Sequence, residues 1–142
     1  MDIQAYLFFP GCCEEAIAFY RDALGAQLQM LMRYKESPEA PPPGAVPPGY
    51  EEKVMHASLQ VGESVLMLAD SCTGQPGFQG FSLSLSPTDE TEAADLFAAL
   101  TAGGTVQMPL GRTFWSPAFA MVTDRFGVRW MINVAGEAAA GS

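Results

Sequence analysis

The chain has 142 residues, 49% apolar and 16% charged, which is enough apolar material to fill a globular core and excludes disorder for most of its length. A formal net charge of −9, from 7 basic against 16 acidic residues, repels a phosphate backbone and excludes nucleic acid as a partner. No apolar run reaches the roughly 18–20 residues that cross a bilayer, and Met1 leads directly into IQAYLFF without a basic leader, so the reading is cytoplasmic with no membrane partner.

The first predicted element is a strand from Ile3 to Phe9, closed by the turn signal Pro10-Gly11. Glu14 and Glu15 then open a helix, where carboxylates complement the helix dipole. Ala16, Ile17, Phe19, Tyr20, Ala23 and Leu24 recur at three- and four-residue spacing, giving one apolar face that Gly25 terminates. A second strand follows from Gln27 to Tyr34. Its alternation is blurred by Met30, Leu31 and Met32, which predicts burial on both faces.

Residues 36–48 read ESPEAPPPGAVPP and hold neither helix nor interior strand, because proline removes the amide donor and fixes φ. A surface loop is the expectation. Val54–Val61, the tight turn Gly62-Glu63, and Ser64–Ala69 then form a hairpin. The first module, about 2–70, is therefore β-α-β-β-β.

The second module, about 78–134, repeats the order. A strand at Gly80–Ser86 leads to a helix over Thr91–Ala102, stopped at Gly103-Gly104, and then to strands at Val106–Leu110, Ala118–Thr123 and Val128–Val134. Asp124–Gly127 turns the last hairpin, and residues 135–142 form a flexible tail. Shifting the sequence by 78 superposes Ala16 on Ala94, Phe19 on Phe97, Gly25 on Gly103, Gln29 on Gln107 and Met30 on Met108. The fold class is thus α+β: two tandem β-α-β-β-β modules in one domain spanning 1–134, with their mixed sheets expected to curve around a cup.

Cys12, Cys13 and Cys72 imply no disulfide framework, since two are adjacent. One histidine, His56, and no CxxC leave too few ligands for a closed zinc site.

AIAFYRDALGAQL after a strand, the paired second module and DRFGVRWMIN as final hairpin resemble the vicinal-oxygen-chelate superfamily of glyoxalase I, bleomycin-resistance proteins, fosfomycin-resistance enzymes and extradiol dioxygenases. YLFFPGCCEEAIAFY, MHASLQVGESVLMLAD and the segment from Trp115 to DRFGVRWMIN resemble its PhnB-like branch, often labelled a demethylubiquinone methyltransferase domain. The resemblance implies the glyoxalase-like fold, a homodimer, and a ligand hollow. It also implies a divalent metal held by His and Glu on the first and last strands of each module, an ion that polarises neighbouring substrate oxygens.

Here those positions fall at Ala5 or Gln4, Met67, Ser82 and Met131, which predicts no metal and no other cofactor. Nor does the chain carry the glycine-rich cradle of a nucleotide-like methyl donor. His56 is the candidate catalytic group, an imidazole able to act as acid or base or to hydrogen-bond a ligand. Gln4, Tyr6, Met67, Ser82, Arg112, Trp115, Trp130 and Met131 are the candidate ligand-binding residues. Met30, Met32, Met108 and Met121 add an adaptable apolar lining to the strands. The expected function is to bind a small apolar or cationic molecule. The alternative is a small-metabolite enzyme, of lyase, isomerase or oxidoreductase type, using His56 with Gln4 or Asp70, or an atypical metal site.

Overall fold

The computed structural model describes residues 1–39, 44, 46–72 and 77–136; most of the 36–48 loop's proline run and most of the 135–142 tail lie outside the described residues. The chain divides into two compact units, Met1–Pro76 and Gly77–Ser142.

In the first unit, β1 (Ala5–Phe9), α1 (Cys13–Leu24), β2 (Gln27–Arg33), β3 (Val54–Val61) and β4 (Ser64–Asp70) build a four-stranded sheet in the order β1-β4-β3-β2. The β1–β4 pair is parallel and the other two are antiparallel. A parallel neighbour for β1 requires a crossover, and α1 is part of it, packing on β2, β3 and β4. In β1 the period of two is strict: Leu7 and Phe9 are 1% and 0% exposed beneath the helix, whereas Tyr6 and Phe8 are 38% and 51% exposed on the opposite face.

The helix carries Cys13, Ala16, Ile17 and Tyr20 into that core. It ends at Gly25, whose φ of 65° is the left-handed conformation a side chain resists. No side chain of α1's own N-cap residue, Cys12, serves the first turn. Asp70 does so from β4, its Oδ1 accepting from Cys13 N at 2.8 Å and its Oδ2 from Val54 N at 2.9 Å. One carboxylate thus ties helix start, β3 and β4 together.

The second unit repeats the plan with β5 (Leu83–Leu85), α2 (Glu90–Thr101), β6 (Thr105–Gly111), β7 (Phe119–Thr123) and β8 (Arg129–Asn133), in the order β5-β8-β7-β6. Here the N-cap is local: Asp89 accepts from Glu92 N at 2.8 Å. Asp124 organises the β7–β8 turn, its Oδ1 accepting from Phe126 N and Val128 N and its Oδ2 from Trp130 Nε1 at 2.9 Å.

The expectation that β2 is buried on both faces is corrected. Residues 27–30 are exposed and 31–33 half-buried, because β2 is an edge strand of its sheet. Met30 and Met32 lie on the open face, where methionine tolerates partial exposure, while Leu31 pairs with buried Ala57 on the other.

Candidate functional site

The face of the first sheet turned away from α1 gathers the chemistry. Register places Tyr6 beside Met67, Met67 beside Ser58, and Ser58 beside Met30, a row running across all four strands. The next rank along β3 and β2 pairs His56 with Met32. Tyr6 hydroxyl lies 2.8 Å from His56 Nδ1, and the two rings sit 5.5 Å apart. Phe8 stacks on Tyr6 at 4.8 Å with planes 9° apart, so the two exposed rings of β1 form one aromatic stack.

Burial, and then the nearby Cys13, push the Tyr6 phenol above its ordinary value, so near neutral pH it keeps its proton and shares one hydrogen bond with His56 Nδ1. A hydrogen-bonded polar pair is thereby set, with Ser58, among thioethers and aromatic rings.

Among the expected residues, the structure brings together Tyr6, Met67 and His56. Ala5 pairs with Leu66, and it is its neighbour Tyr6 that takes β1's place beside Met67 on the open face; Gln4 precedes the strand and is exposed. Asp70 sits in the helix-side core with its carboxylate spent on backbone amides, which removes it as a partner for His56.

In the second unit the equivalent row is Ser84, Met131, Met121 and Met108. Ser84, not Ser82, is the hydroxyl that meets Met131, since Ser82 lies just before β5. Trp130, expected to line a site, is instead core, 2% exposed with its indole N–H held by Asp124. Trp115 is not on a strand; it lies in the β6–β7 connection beside exposed Arg112.

The positions where a divalent ion would be expected therefore carry a phenol at Tyr6, thioethers at Met67 and Met131, and a hydroxyl at Ser84. Among the described residues no three His, Cys, Asp or Glu side chains come together as a metal-binding group. This donor set does not fit a divalent metal. No helix of the described residues is long and apolar enough to cross a membrane.

Sequence reasoning missed Phe8, although the alternation with buried Leu7 and Phe9 carried the signal. It also missed a hollow of about 440 Å³ in the first unit, between Tyr34, Lys35, Glu39, Pro47 and Glu51, at the base of the proline-rich loop. The aromatic row of that region is structural: Tyr34 OH donates to Asp70 O at 2.8 Å and Tyr50 OH to Ser71 O at 2.9 Å.

The family model for the Glyoxalase/Bleomycin resistance protein/Dioxygenase superfamily matches residues 3–132. Protein YjdN of Escherichia coli (strain K12) is 36% identical over 140 residues, spanning 94% of this chain and 95% of that one. The crystal structure of PA1353 from Pseudomonas aeruginosa is similar with a TM-score of 0.83 and 44% identity, over 95% of this chain and 98% of that one. The PhnB protein from Bacillus cereus superposes with a TM-score of 0.77 at 29% identity, over 95% of this chain and all of its own.

Proposed function

Because the chain belongs to the glyoxalase, bleomycin resistance protein and dioxygenase superfamily while lacking a donor set for that superfamily's metal chemistry, we propose that it binds a small apolar or cationic molecule without a metal. The observation that supports this is the Tyr6–His56 pair, hydrogen-bonded at 2.8 Å on a sheet face that it shares with Phe8, Met30, Met32, Ser58 and Met67. Packing of the core does not require a polar pair on that side. A ligand does: the outer faces of the Tyr6–Phe8 stack attract a cation or a second ring, the methionines adapt to its outline, and His56 offers one polar contact. The net charge of −9 favours the cationic member of that class.

A second reading rests on the same pair. Tyr6 holds the His56 ring through Nδ1, so Nε2 is placed to exchange a proton with a small metabolite. Loss of turnover with retained binding in His56→Ala would favour this enzyme over the binder.

Assembly as a homodimer belongs to the proposal, in keeping with the family, and light scattering would report twice 15.2 kDa. A thermal-shift screen tests the whole reading: aromatic quaternary ammonium compounds raise Tm in the wild type and not in Tyr6→Ala, whereas Mg²⁺, Mn²⁺, Ni²⁺ and Zn²⁺ leave it unchanged. A stoichiometric metal in the purified protein would contradict it.

A further inference from the structure

The hollow at the base of the proline-rich loop holds about 440 Å³, within the range of roughly 300–1,000 Å³ typical of small-molecule sites. A ligand reaches it from solvent without disturbing the core, since Glu39, Pro48 and Glu51 of its lining are exposed and Tyr34, Val46 and Pro47 half-buried. Val46, Pro47 and Pro48 make an apolar wall, and the prolines lose no side-chain freedom when something packs on them.

Both arms of the loop are pinned where they border the hollow. Tyr34 N donates to Lys53 O and Lys35 N to Glu51 O, each at 3.0 Å, and Tyr50 N donates to Pro47 O at 3.3 Å. The Tyr34 hydroxyl, which donates to Asp70 O at 2.8 Å, also accepts from Cys72 Sγ at 3.2 Å. The outgoing arm ends in a local turn, Ser37 Oγ donating to Glu39 O at 2.8 Å.

The glutamates around this base divide into two kinds. Glu14 pairs with Arg33 at 2.8 Å, Glu36 Oε1 accepts from Arg33 N at 2.8 Å, and Glu52 pairs with Lys35 Nζ at 2.6 Å. The carboxylates of Glu39 and Glu51 make no hydrogen bond or ion pair with another described residue, and these are the two glutamates that line the hollow. Lys35 lines it as well, but its ammonium is spent on Glu52. An apolar wall is thus flanked by one uncompensated negative charge on the outgoing arm and one on the returning arm.

We propose that this hollow binds a short aliphatic diamine or polyamine. One ammonium answers Glu39, another answers Glu51, and the methylenes between them lie on Val46, Pro47 and Pro48. A hard divalent cation calls for about six or more oxygens gathered at one point, whereas carboxylates on separate arms of an apolar hollow suit positive charges spaced along a chain. The lining shares no residue with the Tyr6–His56 face, so this site stands or falls independently of that one.

The test uses the full chain and two probes, 1,4-diaminobutane and 1-aminobutane, which share a carbon chain and differ by one ammonium. Binding is followed on the Tyr34 ring and Val46 methyl resonances, with Tyr6 and His56 reporting the other face. An exposed ion pair contributes up to about fivefold in affinity, so the diamine should bind about fivefold more tightly than the monoamine at low salt, by a margin that shrinks as NaCl is added. Glu39→Gln and Glu51→Gln each bring the diamine down to the level of the monoamine. Glu63→Gln, the same charge change at the exposed β3–β4 turn, leaves the margin in place and so separates a site from general attraction to an acidic protein. Equal affinity of the two probes for the wild type, a loss in Glu63→Gln as large as in Glu51→Gln, or Tyr34 and Val46 signals that stay fixed at millimolar diamine would overturn the proposal. Movement of Tyr6 and His56 alone would also overturn it, by assigning the cation to the other face. The wild-type comparison decides even if a variant fails to fold.

Discussion

Asp70, at the last position of β4, caps a helix that begins 57 residues earlier in the chain: its Oδ1 lies 2.8 Å from Cys13 N. The same carboxylate holds Val54 N, so two buried amides depend on one side chain that is 2% exposed. Asp70→Ala leaves both without an acceptor, and at roughly 1.5–3 kcal/mol for each hydrogen bond to a charged group the expected loss is about 3 kcal/mol or more. Asp70→Asn keeps one acceptor and loses about half as much. Urea unfolding of the two variants, followed by far-ultraviolet circular dichroism, checks this.

The thiols at the start of α1 are predicted to be unreactive. Burial, then the charge of Asp70, pushes Cys13 far above the ordinary thiol range, and burial with Glu15 and Asp70 raises Cys12. Thiolate, not thiol, is the attacking species. Iodoacetamide at pH 7 should therefore label Cys13 only after denaturation and Cys12 more slowly than a model thiol. Rapid native labelling of Cys13 would show that its amide-rich surroundings outweigh burial.

The alkaline limb of stability follows from three tyrosines of the first unit. Tyr6, Tyr34 and Tyr50 are all raised from 10.0, each by burial first, with Cys72 adding to Tyr34. A raised phenol keeps its proton in the folded state at a pH where the unfolded chain has lost it. The folded state then binds more protons, so stability is fully present below about pH 10 and falls as pH rises beyond it. Cys12 and Cys13, raised likewise from 9.0, begin the decline earlier, so urea midpoints should fall steadily from about pH 9 and more steeply by pH 11. A midpoint that rises over that interval would contradict the assignment.

The fold was legible because its signals are local and repeated. The α1 face from Ala16 to Leu24, Gly25 at φ 65° and the Gly62 and Gly127 turns each specify their element without help from the rest of the chain. The linear repeat left the strand order open, and the structure shows it recurring as β1-β4-β3-β2 and β5-β8-β7-β6.

The site was only partly legible, because it depends on register. A slip of one residue exchanges the two faces of a strand. Counting from helix motifs reached Ala5 and Ser82, whereas pairing puts Tyr6 and Ser84 beside the two methionines. Trp130 reads like a lining residue in isolation. Its burial is decided by Asp124, which accepts its indole N–H at 2.9 Å, and that contact is visible only once the β7–β8 hairpin is closed.

The most direct measurement is a titration of the protein with benzyltrimethylammonium, followed on the Tyr6 ring and His56 Cε1–H resonances. The account predicts a saturable shift of both sets of signals that disappears in Tyr6→Ala, with the Phe8 ring moving in step. Signals of Tyr6, Phe8 and His56 that stay fixed up to millimolar probe, or that move equally in Tyr6→Ala, would contradict a ligand face built on this pair.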